Sequence, residues 1–146
     1  MSGYNAHKGL DEYRYADLPS LVDGQNPHQL VQLMLDAAVM RVAEAQGALE
    51  ANEIPLKCEL IGKAINLVEG LRACLDEDRG GEIAQNLAAL YEYIARRLVA
   101  ANAFNDRETL KEVTSLLREL QTGWREMGEL LTIRDAPAEK QAEFVR

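Results

Sequence analysis

The feature that most constrains this chain is a broad apolar arc of helical period between Gly80 and Asn102. Apolar residues recur there at i, i+3, i+4 and i+7 in two neighbouring stripes, the spacing of a core-facing helix. The stripes are Ile83, Leu87, Leu90, Ile94 and Ala101, and Ala84, Ala88, Tyr91, Ala95 and Leu98. Together they span roughly 180° of the helical wheel, wider than the roughly 100° that a surface helix buries. Either this helix is deeply buried between two neighbours, or part of the arc lines a groove for another helix.

Three further segments show the same period, so the sequence predicts four helices. Their expected ranges are about 26–51, 55–75, 82–97 and 105–131. Asn26 is a suitable N-cap for the first helix, Pro27 suits its first position, and Gln29 can complete a capping box. Asn105 and Glu108 are the corresponding candidates before the fourth helix. The polar loop 76–81 before the third helix ends in two glycines, which allow unusual backbone angles.

The fourth segment differs from the others because its apolar arc is narrow. Its residues alternate at spacings of three and four, which is a heptad seam typical of a bundle helix. The seam is Leu110, Val113, Leu117, Leu120, Trp124, Met127 and Leu131. We therefore expect this helix to be purely structural. Four helices joined by short connections predict an all-α fold, an antiparallel up-down four-helix bundle.

A single domain, 1–146, is expected from the length of 146 residues. Within it we expect an N-terminal arm at 1–25, the bundle at 26–131 and a polar tail at 132–146. The arm has no helical period and contains Tyr4, Tyr13 and Tyr15. It is either mobile or partly docked on the bundle, and the sequence leaves both open.

Charge and composition exclude several classes of function. The formal net charge of -8 argues against a nucleic-acid binder, which would carry a basic face. It also argues against binding to an anionic membrane surface. No run of 18 apolar residues predicts a membrane span, and the first residues lack the apolar core of a secretory signal. Cys58 and Cys74 would lie about 24 Å apart on one helix, too far for a disulfide. Lone thiols fit a reducing compartment, so we expect a cytoplasmic protein.

We find no pattern that predicts an enzyme, a metal site or a cofactor. Glu-x-x-His pairs for a di-metal bundle are missing, and the glycines at 80–81 lack the Lys-Ser/Thr of a phosphate loop. His28 could be the acceptor of a phosphotransfer bundle, but it stands at a helix start rather than at mid-helix. What remains is recognition of an amphipathic helix by an apolar groove.

Three segments carry a family resemblance, in order and at the right spacing, over about 26–124. They read NPHQLVQLMLDAA, LIGKAINLVEGLRACLD and GGEIAQNLAALYEYIARRLVAAN. This combination resembles the flagellin-specific export chaperones. Leu35 stands where that family often has Tyr, and Ala37 where it often has Gly.

The resemblance implies a non-enzymatic cytoplasmic protein that binds the disordered C-terminal segment of flagellin. Such binding would prevent premature polymerisation and present the client to the flagellar type III export gate. We expect the groove to follow the second and third helices, with contributions from the first. The candidate contact residues are Tyr13, Leu30, Met34, Ile61, Ile65, Val68, Asn86, Leu87, Tyr91, Ile94 and Arg97.

Four alternatives stay open at this point. The chain could be a helical adaptor for another secreted protein, or, through His28, a phosphotransfer domain. The surplus apolar surface could also form a homodimer, and the same candidate residues could simply be core.

Overall fold

A computed structural model describes residues 26–135, with side chains through residue 130. It contains four helices: α1 (Pro27–Glu50), α2 (Ile54–Ala73), α3 (Glu77–Phe104) and α4 (Arg107–Asp135). Each helix packs against the next, and α4 returns to α1, which closes an antiparallel four-helix bundle. The predicted fold class is confirmed. The predicted arm at 1–25, with Tyr13, and the tail beyond 135 lie outside the described residues, and the proposed division of the domain stays a prediction.

The start of α1 confirms the predicted capping box. The Asn26 side chain accepts a hydrogen bond from the backbone N–H of Gln29 at 2.8 Å. The Gln29 side chain accepts one in return from the backbone N–H of Asn26 at 3.2 Å. Both pairs use N–H groups that have no partner inside the helix, so they fix where α1 begins.

The predicted cap of α4 is wrong by one residue. Asn105 instead ends α3, with a left-handed backbone at φ 51°, a conformation that asparagine tolerates better than most residues. Asp106 caps α4, because its carboxylate accepts hydrogen bonds from the backbone N–H groups of Glu108 and Thr109. These bonds and one from the Thr109 hydroxyl hold the pKa of the Asp106 carboxyl below its usual value.

The third helix starts five residues before its predicted first residue. Asp76 accepts a hydrogen bond from the backbone N–H of Arg79 and caps a first turn that begins at Glu77. Gly81 then leaves the helical conformation, with φ 56° and ψ -132°, and the helix resumes after it. The loop predicted at 76–81 is therefore one helical turn and a kink, and only glycine adopts such angles without strain.

The core is sealed at one end of the bundle, where α1 ends, α2 begins, α3 ends and α4 begins. Fully buried side chains from all four helices meet there, namely Val42, Ala45, Leu60, Ile61, Leu98, Ala101, Leu110 and Val113. Lys57 is buried with them at 1% exposure. At the opposite end Leu35, Val68 and Leu71 are also buried. Several leucines there are only partly buried, namely Leu30, Leu67, Leu75, Leu87, Leu90 and Leu120. We call these the closed end and the open end.

Candidate functional site: a cleft between α3 and α4

Hydrogen bonds establish which side of α4 faces each neighbouring helix. Toward α1, Gln121 donates to the Asp36 carboxylate at 2.8 Å. The Trp124 indole donates to the backbone carbonyl of His28 at 2.9 Å, and the Trp124 and His28 rings stack with centroids 4.6 Å apart. These contacts hold the second half of α4 against the first half of α1.

Toward α3, the contacts of α4 are polar and lie near the closed end. The Glu112 carboxylate accepts hydrogen bonds from the Tyr93 hydroxyl at 2.9 Å and from the Arg97 guanidinium at 3.0 Å. Arg97 also donates to the Thr109 hydroxyl at 3.2 Å. The hydrogen bond from Tyr93, followed in size by the one from Arg97, lowers the pKa of Glu112, because both bonds stabilise the carboxylate. The Tyr93–Glu112 hydrogen bond also raises the pKa of Tyr93.

Beyond this polar contact, the facing sides of α3 and α4 are apolar and exposed. On α4 the strip between Glu112 and the core seam carries Leu116, Leu120, Gly123, Met127 and Leu130 at helical spacing. On α3 the edge of Arg97 and Tyr93 continues backward as Leu90, Asn86 and Ile83. Ile83 is 72% exposed, Leu130 66% and Met127 46%.

Position along the bundle shows why these side chains are exposed. Ile83 precedes Asn105, the C-cap of α3, by 22 residues (105 - 83), which is about 33 Å of helix. The same length measured along α4 from Asp106 reaches about residue 128. Ile83, Met127 and Leu130 therefore lie at one level and on facing sides, yet they remain open to solvent. Neither helix covers the exposed apolar side chains of the other at this end.

We call the resulting feature the α3–α4 cleft. Its exposed rim is formed by Ile83 and Asn86 on α3 and by Met127 and Leu130 on α4. Its floor consists of half-buried leucines that pack against the core cluster, namely Leu87, Leu90, Leu116 and Leu120. An apolar floor between two helices is a surface onto which the apolar face of a third helix can pack.

Two of the residues predicted from sequence lie in this cleft, Leu87 in its floor and Asn86 on its rim. Arg97 is at the closed end, held by Glu112 and Thr109. Leu30 and Ile65 are half-buried on α1 and α2, outside the cleft. Tyr13 lies outside the described residues.

The other predicted contact residues are in the core rather than on the surface. They are Met34, Ile61, Val68, Tyr91 and Ile94, all of them buried. Burial raises the pKa of the Tyr91 hydroxyl. A client helix cannot contact these side chains while the bundle keeps this packing, so a direct role for them stays a prediction that requires the bundle to open.

Sequence reasoning missed the half of the cleft that α4 contributes. The heptad seam of α4 explained its core residues and led to the interpretation that the helix is purely structural. Leu116 and Leu130 lie off that seam, 14 positions apart (130 - 116), on the α3-facing edge. Two leucines off the heptad seam, on one edge of an otherwise polar helix, were the available signal.

No helix within residues 26–135 combines the length and the apolar content that a membrane span requires. Among the described His, Cys, Asp and Glu side chains, no three gather as a metal site would need. Cys58 and Cys74 are separate free thiols, as their spacing predicts.

A four-helix bundle with an apolar cleft between two of its helices belongs to the class of helical proteins that can accept an amphipathic helix of a partner. Comparison with known proteins gives the particular family. The family model of flagellar protein FliS matches residues 10–130, and the chain belongs to that family.

Curated relatives agree with this assignment. The chain is 47% identical over 119 residues to flagellar secretion chaperone FliSB of Pseudomonas aeruginosa, covering 82% of this chain and 94% of that protein. It is 38% identical over 120 residues to flagellar secretion chaperone FliS of Salmonella typhimurium, covering 82% and 89%. With the protein of the same name from Bacillus subtilis it shares 29% identity over 105 residues, covering 72% and 77%. These names support a role as an export chaperone.

Proposed function

We propose that the protein is a cytoplasmic export chaperone for flagellin. It binds the C-terminal segment of newly made flagellin, which is disordered in the free client, and it orders part of that segment as a helix in the α3–α4 cleft. Occupation of the segment prevents premature polymerisation. The complex then presents flagellin to the flagellar type III secretion apparatus, and no bond is made or broken.

The observation that carries this proposal is the exposure of Ile83, Met127 and Leu130 on facing helix sides. Two neighbouring helices of a bundle normally bury such residues against each other. Exposed apolar surface of this kind marks an interaction site. Each Leu-sized side chain that a client buries there contributes roughly 1.5–3 kcal/mol. Several are required, because ordering a disordered segment costs about 2–5 kcal/mol or more.

The test is isothermal titration calorimetry with a peptide of the flagellin C-terminal segment from the same bacterium. We expect Met127→Glu to weaken binding by about 2 kcal/mol, close to 30-fold, because a carboxylate replaces apolar surface in the cleft. Ile83→Glu should act in the same direction from the α3 side. Both positions are exposed, so the melting temperature should change little.

Met40→Glu is the matched control. Met40 is 54% exposed, close to the 46% of Met127, but it lies on α1 away from the cleft. The proposal fails if the wild-type protein does not bind the peptide, or if Met40→Glu and Met127→Glu weaken binding equally. Binding of a different secreted protein in place of flagellin would favour the adaptor alternative.

A further inference from the structure

The edge of α4 that borders the cleft carries three glutamates at heptad spacing. Glu112, Glu119 and Glu126 are seven residues apart, so they follow one another along the same edge of the helix in a bundle of this kind. Glu112 defines the direction of that edge, because its carboxylate reaches Tyr93 and Arg97 on α3.

Helix α3 supplies a cation opposite only the first of these glutamates. Arg97 pairs with Glu112, and because the helices are antiparallel, earlier α3 residues face later α4 residues. One and two heptads before Arg97 the residues are Leu90 and Ile83. Within the described part of the chain, Glu119 and Glu126 therefore border the cleft without a basic residue across from them.

At the closed end, the arrangement of α3 shows which residues a helix needs in order to pack beside α4. It places apolar residues on the seam and a guanidinium at the edge, over Glu112. At the open end α4 continues the same pattern, with Leu120 and Met127 on the seam and Glu119 and Glu126 at the edge. There Ile83 of α3 and Met127 of α4 are exposed, so α3 does not cover the pattern. A helix that completed this pattern would place a basic residue beside Glu119 and Glu126, as Arg97 is placed beside Glu112.

We propose that the α3–α4 cleft takes an amphipathic helix whose apolar side chains fill the cleft and whose Lys or Arg residues, seven apart, pair with Glu119 and Glu126. This inference rests on the proposed function and specifies which segment of a client the cleft selects. Apolar contact supplies most of the affinity, and the charge pairs select orientation and partner, as rim charges do at other interfaces.

Two labelled synthetic helical peptides test the inference without flagellin. Both carry the same leucine heptads, and the edge residues are Lys in one peptide and Glu in the other. Fluorescence anisotropy should show the wild-type protein binding the Lys peptide about tenfold more tightly at low salt, with a preference that fades near 0.5 M salt because exposed charges are screened.

The double variant Glu119→Lys/Glu126→Lys should reverse this preference. Both residues are exposed and lie in the middle of α4, so circular dichroism should show an intact bundle. The control is Glu50→Lys/Glu59→Lys, which changes the net charge by the same amount at exposed positions near the closed end. This control should keep the wild-type preference, which separates the edge of the cleft from net charge.

Three results would overturn the inference: equal binding of the two peptides, binding of neither, or an unchanged preference in Glu119→Lys/Glu126→Lys. Any of these can occur while the flagellin peptide still binds wild-type protein, and the proposed function then stands without the charge rule. Conversely, a clear preference for the Lys peptide together with no binding of flagellin would direct the search to another client.

Discussion

At the residue scale, the strongest single constraint on the closed end is a buried charge. The Lys57 ammonium donates to the backbone carbonyl of Asn102 at 2.8 Å and to the side-chain oxygen of Asn105 at 2.6 Å. The Asn102 carbonyl belongs to the last turn of α3, where carbonyls lack partners within the helix and the dipole favours a cation. Lys57 therefore joins the start of α2 to the end of α3.

Replacing this lysine should destabilise the bundle in proportion to the bonds lost. Lys57→Met keeps most of the apolar stem but leaves a buried carbonyl and an amide oxygen without their donor. We expect a loss of about 2–3 kcal/mol in the free energy of unfolding, measured by urea denaturation. Lys63→Met is the control, because Lys63 makes a partly exposed pair with Glu59 and should change stability by less than about 1 kcal/mol. Equal effects of the two variants would contradict this role of Lys57.

Sequence alone could not single out Lys57 from the exposed lysines. Its acceptors lie 45 and 48 positions further along the chain, so no local pattern links them. The capping box at Asn26 is the opposite case, since all its partners fall within three residues. Interactions of short sequence separation are readable from the chain, and those formed by tertiary packing are not.

At the scale of a helix, Gly81 decides how α3 begins. Its φ of 56° and ψ of -132° lie in a region that side chains with a Cβ avoid, so the kink depends on glycine. We expect Gly81→Ala to lower the free energy of unfolding by about 1–3 kcal/mol.

Gly47→Ala provides the comparison for this variant. A Cβ at Gly47 meets nothing within 4 Å, and the residue lies inside α1 with ordinary helical angles. Alanine there should stabilise the protein by about 0.5–1 kcal/mol. Opposite signs for the two glycines, measured by thermal and urea unfolding, support the assigned role of Gly81. Stabilisation by Gly81→Ala would show instead that the first turn joins α3 without a kink.

The helices also show where periodicity is informative and where it stops. Helix number, type and order followed from the spacing of apolar residues, because a helix must bury its apolar stripe. The breadth of the arc on α3 left burial and a groove as alternatives, and the structure places Leu87 half-buried and Ile83 exposed on that arc. The breadth did not show which neighbour leaves that surface open, because the packing of α3 against α4 is a tertiary property. Ile94, on the same arc as Leu87, is fully buried.

At the scale of the whole molecule, the bundle is asymmetric along its axis. Lys57 and the Glu112–Arg97–Tyr93 bonds join the helices at the closed end. The open end combines a few buried residues of α1 and α2, including Leu35, Val68 and Leu71, with half-buried leucines and the Trp124–His28 stack. Such a gradient suits a chaperone, because one end can keep the fold while the other exposes apolar surface to a client.

This asymmetry predicts a gradient of hydrogen exchange. Backbone amides of residues 94–101 and 110–117 should exchange through global unfolding, because their side chains form the sealed core. Amides of residues 83–90 and 123–130 should exchange through local opening at a free energy lower by about 2 kcal/mol or more, since few buried contacts must break there. Exchange measured by mass spectrometry, with and without the flagellin peptide, checks this. The peptide should slow exchange in both cleft segments and leave exchange at the closed end unchanged. Uniform protection along α3 and α4 in the free protein would instead show that the bundle unfolds as one unit and that its open end has no independent mobility.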